Sequence, residues 1–129
     1  MSRKSKGISA ERELIHKFWE VGWAACRVAG SGAIKYPVPD IIAGSISRRL
    51  AVECKSTGDE YQYLESDVIS KLRAFCARFS AEPWIGVRFD RGGWFFLSLE
   101  DLESSGKAFS ISLDRAKGRG VLFEELVKI

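Results

Sequence analysis

Histidine, cysteine and long apolar runs are scarce in this sequence of 129 residues. Its one histidine, His16, lies away from the apolar stripe of a predicted helix, so we expect a surface residue. A Ser-His-Asp triad, a histidine-rich zinc site and a histidine general base therefore have little support. The apolar runs are only about four or five residues long, whereas a membrane-spanning helix needs roughly 20, and the basic N-terminal segment has no signal-peptide core. We therefore expect a soluble, cytoplasmic protein.

Cysteine and glycine spacing excludes two further classes of site. Cys26, Cys54 and Cys76 are widely spaced and each lies within an apolar run, so we predict reduced core residues. The glycines around Ser31 lack the spacing of a phosphate-binding Walker loop or a dinucleotide fingerprint, which argues against a nucleotide cofactor. The net charge of +3 and the isoelectric point near 8.8 are too small to indicate a nucleic-acid partner by themselves.

The pattern of apolar residues predicts one α/β domain over residues 1–129, with residues 1–8 as a flexible basic arm. A helix capped by Ser9 then runs to about Val21, and Gly22 ends it. The remaining predicted elements alternate between strands and helices: strands 23–29, 40–43 and 50–55, helix 64–79, strands 84–89 and 94–97, an edge strand 108–113, a basic loop 115–120, and a helix or strand 121–127. This order indicates a mixed central β-sheet flanked by helices.

Carboxylates are the strongest candidates for chemistry. Glu53 and Lys55 alternate with apolar residues on a predicted strand, so both side chains lie on the same face. An ion pair on an edge strand would explain these two residues alone. Asp40, however, opens the preceding strand directly after Pro39. Two carboxylates on adjacent strands offer the hard oxygen ligands that suit Mg²⁺ or Mn²⁺, while the lysine can supply charge to a phosphate.

Glu11 is a third candidate carboxylate. It precedes Leu14, Ile15 and Phe18 on the first helix at a spacing that places it toward the core. A stabilising interaction with the helix dipole would explain an acidic residue in the first turn, but that interaction does not require the inner face.

Four segments together resemble a known family. They are Glu11–Leu14, Cys26–Gly32, Pro39–Ala43 and Ala51–Lys55. In this order and spacing they resemble the archaeal Holliday junction resolving endonucleases, which belong to the PD-(D/E)xK nuclease superfamily. The resemblance spans about residues 3–98. It implies a restriction-endonuclease-like core and a homodimer that cuts four-way DNA junctions with Mg²⁺, leaving a 5′-phosphate and a 3′-hydroxyl.

The resemblance also implies roles for individual residues. Asp40, Glu53 and the main-chain carbonyl of Cys54 would be metal ligands, and Glu11 would complete the acidic site. Lys55 would orient or activate the attacking water.

Further residues are implied to contact DNA or the second subunit. Arg27 and Ser31 would contact the scissile backbone, with Ser31 acting either in the chemistry or in opening loops of the dimer. Aromatic residues at the positions of Phe75 and Phe79 would contribute to the dimer interface.

Basic residues outside these motifs form three local clusters, which suit phosphate contacts but are also typical of ordinary solvated surface. The clusters are Arg3, Lys4 and Lys6; Arg48 and Arg49; and Arg115, Lys117 and Arg119. Since no base-reading motif accompanies them, we expect recognition of branch shape and backbone.

These observations lead to one principal hypothesis and two alternatives. The principal hypothesis is a Mg²⁺-dependent homodimeric endonuclease that resolves Holliday junctions and associates with the nucleoid. The first alternative is another branched-DNA or restriction-like nuclease, and the second is a junction-binding module that does not cleave. The set of Glu11, Asp40, Glu53 and Lys55 argues against the last, because a pure binder gains nothing from acids facing a polyanion.

Overall fold

Helices cover both faces of a central sheet in the computed structural model, which describes residues 3–30 and 33–129 and, in α1, side chains from Lys6 onward. The elements in chain order are α1 (Arg3–Glu20), β1 (Ala24–Arg27), β2 (Ile41–Gly44), β3 (Arg49–Thr57), β4 (Tyr61–Glu65), α2 (Ser66–Phe79), β5 (Glu82–Phe89), β6 (Gly93–Leu97), a 3₁₀ turn (Leu99–Asp101), β7 (Glu103–Ser105), β8 (Ala108–Ser112), α3 (Leu113–Arg119) and α4 (Phe123–Leu126).

The central sheet has the strand order β1-β2-β3-β5-β6. Neighbouring strands of this sheet pair in antiparallel fashion, with one exception. Strands β3 and β5 pair in parallel, because the connection through α2 crosses over between them. The predicted mixed sheet flanked by helices is confirmed. A second sheet of three strands has the order β4-β8-β7, so β8, which was predicted as an edge strand, is instead its central strand because β4 and β7 pair on its two sides.

Strand alternation divides the apolar residues of β3 between two cores. Leu50 and Val52 pack in a cluster with Leu14 and Phe18 of α1. Ala51, on the opposite face, belongs to a cluster formed with α2 and the strands β5 and β6. The period of two therefore sends Glu53 and Lys55 toward the face that α2 covers.

The first helix ends as predicted but begins earlier. Gly22 adopts φ +87°, and the amides of Gly22 and Trp23 donate to the carbonyls of Trp19 and Phe18 at 3.2 and 3.0 Å. This pair of bonds is a Schellman motif, which needs a residue with positive φ. The start predicted at Ser9 is wrong, because α1 begins at Arg3 and residues 3–8 form its first turns.

Three other expectations need correction. Residues 115–120, predicted as a basic loop, mostly continue α3, whose N-cap Ser112 accepts a hydrogen bond from the Arg115 amide at 2.9 Å. Strand β4 was not predicted, because Leu64 fits the helical spacing of the residues that follow it. Cys26 is exposed on the edge strand β1, whereas Cys54 and Cys76 are buried as predicted.

Two simpler expectations hold. His16 is exposed on α1. Within residues 3–30 and 33–129, no helix combines the length and the apolar character needed to cross a membrane.

Candidate active site

Strand pairing places Asp40 opposite Glu53. The last pair of the β2–β3 ladder is Ile41 with Val52, and continuing that antiparallel register by one residue aligns Asp40 with Glu53. On the other side, the Val28 amide donates to the Asp40 carbonyl at 2.8 Å, which continues the β1–β2 register. Pro39 has no amide proton, so it cannot extend the ladder. The two carboxylates therefore meet where β2 and β3 stop pairing.

The backbone of β3 orients the Asp40 carboxylate. The Cys54 amide donates to Asp40 Oδ2 at 2.9 Å. The Asp40 and Glu53 carboxyl groups lie close enough that a hydrogen bond between them contributes to the raised pKa of Glu53. Such a bond between two carboxyl groups requires that one of them carry a proton.

Burial and repulsion favour the protonated form of Glu53. Burial, followed by the negative charges of Asp40 and Glu11, raises the pKa of Glu53 to about 8, although the charge of Lys55 opposes the shift. Glu53 is therefore largely protonated at neutral pH when no cation is bound. A bound cation would reverse this balance, because positive charge favours the carboxylate form.

Glu11 approaches the strands from α1. Its side chain is only 15% exposed, which agrees with the inner position predicted for it. Arg27 Nε of β1 donates to Glu11 Oε1 at 2.9 Å. Desolvation and the charge of Asp40 raise the pKa of Glu11, although the bond to Arg27 acts in the opposite direction.

One cavity of about 430 Å³ is lined by all four residues predicted to form the catalytic core: Glu11, Asp40, Glu53 and Lys55. The rest of the wall comes from two segments: Tyr36 and Val38 of the loop before β2, and Lys71 and Leu72 of α2. Sequence reasoning missed Lys71 as part of this wall. The signal was present, because Lys71 follows Val68 by three residues on α2 and such residues share a helix face.

The donor atoms at this cavity are oxygens, which are the ligands that a hard divalent cation prefers. Glu11, Asp40 and Glu53 supply carboxylate oxygens, and Cys54, whose carbonyl is the predicted further ligand, also lines the cavity. Repulsion among the acids, which contributes to the raised pKa of Glu53, is the kind of strain that a cation relieves. As positioned in residues 3–30 and 33–129, no three such side chains already form a metal-binding cluster.

Several predicted DNA contacts lie near the cavity or outside the described residues. Ser31 lies outside the part of the chain that the structure describes, as do the side chains of Arg3 and Lys4. Lys6 lies on α1 and pairs with Asp90 at 2.6 Å.

Arg48 and Arg49 lie at the far end of the β2–β3 hairpin from Asp40 and Glu53. The Arg48 guanidinium binds both oxygens of Glu82 at 2.8 and 2.9 Å and donates to the carbonyls of Leu126 and Ile129. Its side chain is only 14% exposed. Arg48 therefore anchors the C-terminal residues to the sheet, so it fits neither the predicted DNA contact nor the alternative of ordinary solvated surface.

The rings of Phe75 and Phe79 stack at 5.0 Å between centroids on α2. Phe79 is 45% exposed and borders an almost wholly apolar groove of about 330 Å³. The groove extends over the edge strand β1, where Cys26 lies, to Trp19 at the end of α1. The aromatic pair therefore belongs to a wider apolar surface than the sequence indicated.

A central mixed sheet with a carboxylate and lysine cavity where β2 and β3 diverge defines a restriction-endonuclease-like nuclease. The fold is shared with a bacterial homing endonuclease at a TM-score of 0.60, 14% identity and coverage of 98% of this chain and 92% of that one. Archaeoglobus fulgidus Hjc, a Holliday junction resolvase, superposes with a TM-score of 0.87 at 33% identity, covering 95% of this chain and 96% of that one. Residues 2–129 match the archaeal Holliday junction resolvase (hjc) family, and the chain belongs to it.

Curated relatives agree with this assignment. The crossover junction endodeoxyribonuclease Hjc of Archaeoglobus fulgidus is 37% identical over 129 residues, which cover 95% of each chain. The protein of the same name from Methanocaldococcus jannaschii is 32% identical over 122 residues, covering 95% of this chain and 86% of the relative. The resemblance inferred from the four sequence segments is therefore confirmed, and it extends over the tail as well.

Proposed function

We propose that this protein is a structure-selective endonuclease that resolves four-way DNA junctions by hydrolysing phosphodiester bonds as a Mg²⁺-dependent homodimer. The observation that carries this proposal is the convergence of Glu11, Asp40, Glu53 and Lys55 on one cavity in a chain of the junction resolvase family. Mn²⁺ would substitute for Mg²⁺, since both accept carboxylate oxygens. Action on DNA would place the protein at the nucleoid.

Lys55 and Asp40 would have different roles in hydrolysis. Lys55 follows Glu53 by two residues on the same strand face, so its ammonium group faces the same space as the carboxyl group. A phosphate in this cavity would be attracted by Lys55, which would also orient the attacking water. Asp40 is held in place by the Cys54 amide, so it would not need to reorganise when substrate enters.

A metal ion would be held by Asp40 and Glu53, with Glu11 and the Cys54 carbonyl completing the set of oxygens. When bound, Mg²⁺ lowers the pKa of water and neutralises the charge that develops on the phosphate. The protein's part is to keep the acids close enough together that binding a cation relieves their repulsion. A histidine base is then unnecessary, which agrees with the exposed position of His16.

DNA contacts would surround this cavity. Arg27 adjoins it through Glu11 and would contact the scissile backbone once Glu11 turns to a cation. Lys6 offers a further phosphate contact near the cavity, whereas Arg49, exposed at the far end of the β2–β3 hairpin, would contact DNA away from it. Ser31, Arg3 and Lys4 remain predicted contacts. None of these residues forms a base-reading motif, so selection would follow the shape of the branch.

A second copy of the chain would cover the groove beside Phe79. The exposed ring of Phe79 stacks on the half-buried Phe75 beside an open apolar groove and an edge strand, which suits a two-fold interface. Two-fold symmetry would present two cavities to two opposing strands of a junction. This arrangement would account for paired nicks.

Cleavage of a synthetic four-way junction tests the proposal. The full-length protein is incubated with a mobile junction and with a matched duplex, each in Mg²⁺ and in EDTA. We expect paired symmetric nicks on the junction in Mg²⁺ and none in EDTA. Religation of the nicked products by a DNA ligase would confirm 5′-phosphate and 3′-hydroxyl ends.

The same experiment separates the alternatives. Equal cutting of junction and duplex would support a less selective nuclease and overturn junction selectivity. A junction that shifts in a gel but remains uncut in Mg²⁺ would support a binding module and overturn the enzymatic proposal.

A further inference from the structure

Two tyrosines form an exposed aromatic pair on β4. Tyr61 and Tyr63 are 53% and 70% exposed, and their nearly parallel rings lie 6.4 Å apart between centroids with planes inclined by 14°. Residues two apart on a strand share a face, and the opposite face of β4 carries Leu64, which is buried. Aromatic rings exposed side by side lose the burial that usually stabilises them, which is typical of an interaction surface.

This tyrosine pair adjoins the candidate active site. Tyr61 and Tyr63 line a cavity of about 610 Å³ that also includes Lys6 and Lys55. Lys55 lines the carboxylate cavity as well, so the two cavities meet at the proposed catalytic lysine. The ammonium groups suit a phosphate backbone, and the rings suit a partner with a flat apolar face.

The backbone holds the tyrosines in a defined position. Strand β4 pairs with β8 along its whole length, with Tyr61 opposite Ser112 and Tyr63 opposite Ser110. Thr57, at the end of the catalytic strand β3, donates from Oγ1 to the Tyr61 carbonyl at 3.2 Å. The tyrosines are therefore connected to β3 through a short turn, and β4 lies at one edge of the β4-β8-β7 sheet.

We propose that Tyr61 and Tyr63 form a stacking platform for a nucleobase at the branch point of the bound DNA, in the cavity that they share with Lys55. The proposal rests on the proposed junction-cleaving function and names the feature by which that site selects branched DNA. Aromatic side chains stack on any base, because every base has an apolar face, so the platform requires no particular sequence.

Exposure of base faces explains why such a platform selects a junction. Within a continuous duplex both faces of each base pair are covered by neighbours, and uncovering one requires unstacking energy. At a branch point the stack of base pairs is interrupted, so exposing the face of a base requires less unstacking energy. The tyrosines would therefore stabilise the junction complex more than the duplex complex.

Measured affinities for junction and duplex test the platform. Full-length Tyr61→Leu/Tyr63→Leu protein is titrated in EDTA with a fluorescent four-way junction and with a matched duplex. We expect about tenfold weaker junction binding and a duplex affinity within about twofold of the wild type. The matched control is Tyr61→Phe/Tyr63→Phe, which keeps both rings and should bind the junction like the wild type. Circular dichroism checks that both variants remain folded.

A fluorescence measurement tests base stacking directly, without relying on the cleavage reaction or on a difference in affinity. A 2-aminopurine placed at the branch point should lose fluorescence when the aromatic rings of the wild type or of Tyr61→Phe/Tyr63→Phe stack on it. Its fluorescence should stay high when Tyr61→Leu/Tyr63→Leu binds. An equal loss of junction and duplex affinity would assign the tyrosines a general structural role and overturn the proposal, as would unchanged junction binding. A changed sedimentation coefficient for the Leu protein without DNA would assign them to subunit contact and would also overturn it.

The two proposals can fail separately. Wild-type protein that binds but does not cut the junction in Mg²⁺ would end the enzymatic proposal, while selective loss of binding in the Leu protein would still support the platform. If the wild type cleaves the junction and Tyr61→Leu/Tyr63→Leu binds it with unchanged affinity, the stacking proposal would be overturned and the enzymatic proposal would stand.

Discussion

Glu53 shares a hydrogen bond with Asp40 at the point where β2 and β3 stop pairing. Burial is the largest cause that raises the pKa of Glu53 to about 8, and the bond to Asp40 raises it in the same direction. The pair thus holds two acids together that would otherwise repel one another. The acids therefore line one cavity before any cation is bound, although among the described residues they are not yet arranged as a metal-binding cluster.

The pKa of Glu53 predicts how stability depends on pH. Between the ordinary value of 4.5 and about 8, the folded protein retains a proton that the unfolded chain has released. The free energy of unfolding should therefore fall as pH rises through this window in EDTA, by on the order of a few kcal/mol, and level off above it. Urea denaturation at several pH values measures this. Glu53→Gln should flatten the profile, and the exposed Glu20→Gln is the matched control; an unchanged profile in Glu53→Gln would contradict the assignment.

Asp40→Asn and Glu53→Gln should each reduce junction cleavage in Mg²⁺ by at least about 100-fold, because each removes a carboxylate that would hold the cation. Junction binding in EDTA should remain within about twofold, since loss of a negative charge does not weaken contacts with a polyanion. Single-turnover cleavage and gel-shift titration measure the two effects. Asp114→Asn, which changes an exposed acid on α3, serves as the control. Full cleavage by both site variants would exclude this metal site.

Arg48→Ala should destabilise the protein by about 2 kcal/mol, because it removes charged hydrogen bonds to Glu82 and to the C-terminal carbonyls. Junction affinity should not change. Arg49→Ala is the comparison, since Arg49 is exposed and donates to the Ser80 carbonyl at the longer distance of 3.3 Å. Urea denaturation and junction titration distinguish the two arginines. Weaker DNA binding with unchanged stability in Arg48→Ala would instead assign Arg48 to the DNA interface.

Phe79→Glu should convert a homodimer into monomers, because it introduces a charge beside the apolar groove of Trp19 and Cys26. Sedimentation velocity over a range of concentrations measures the change. Leu122→Glu is the matched control, as Leu122 is also 45% exposed but does not line the groove. Equal sedimentation of Phe79→Glu and wild type as dimers would place the interface elsewhere.

The sequence was informative wherever local periodicity decides position. The alternation of residues along β3 placed Glu53 and Lys55 on one face, and helical spacing placed Glu11 on the inner side of α1. Pro39 marked the end of pairing before Asp40. These relationships depend on neighbours within a few residues, so a single sequence carries them.

Segments with competing local signals were predicted less well. Gly118 and Gly120 made residues 115–120 resemble a loop, but capping by Ser112 and packing of the buried Ala116 form a helix there. Tyr61–Glu65 forms a strand only because β8, more than forty residues later in the sequence, pairs with it. The stacked tyrosines could not be recognised without that pairing.

By itself the sequence determined the mixed α/β core, the set of acids and the lysine, because strand and helix periods assign side chains to faces. Tertiary structure alone decided that these side chains line one cavity, that Glu53 retains its proton and that Arg48 binds Glu82, 34 residues away. The reason is physical: burial and electrostatic interaction depend on distances between segments remote along the chain, and those distances exist only after the strands have paired.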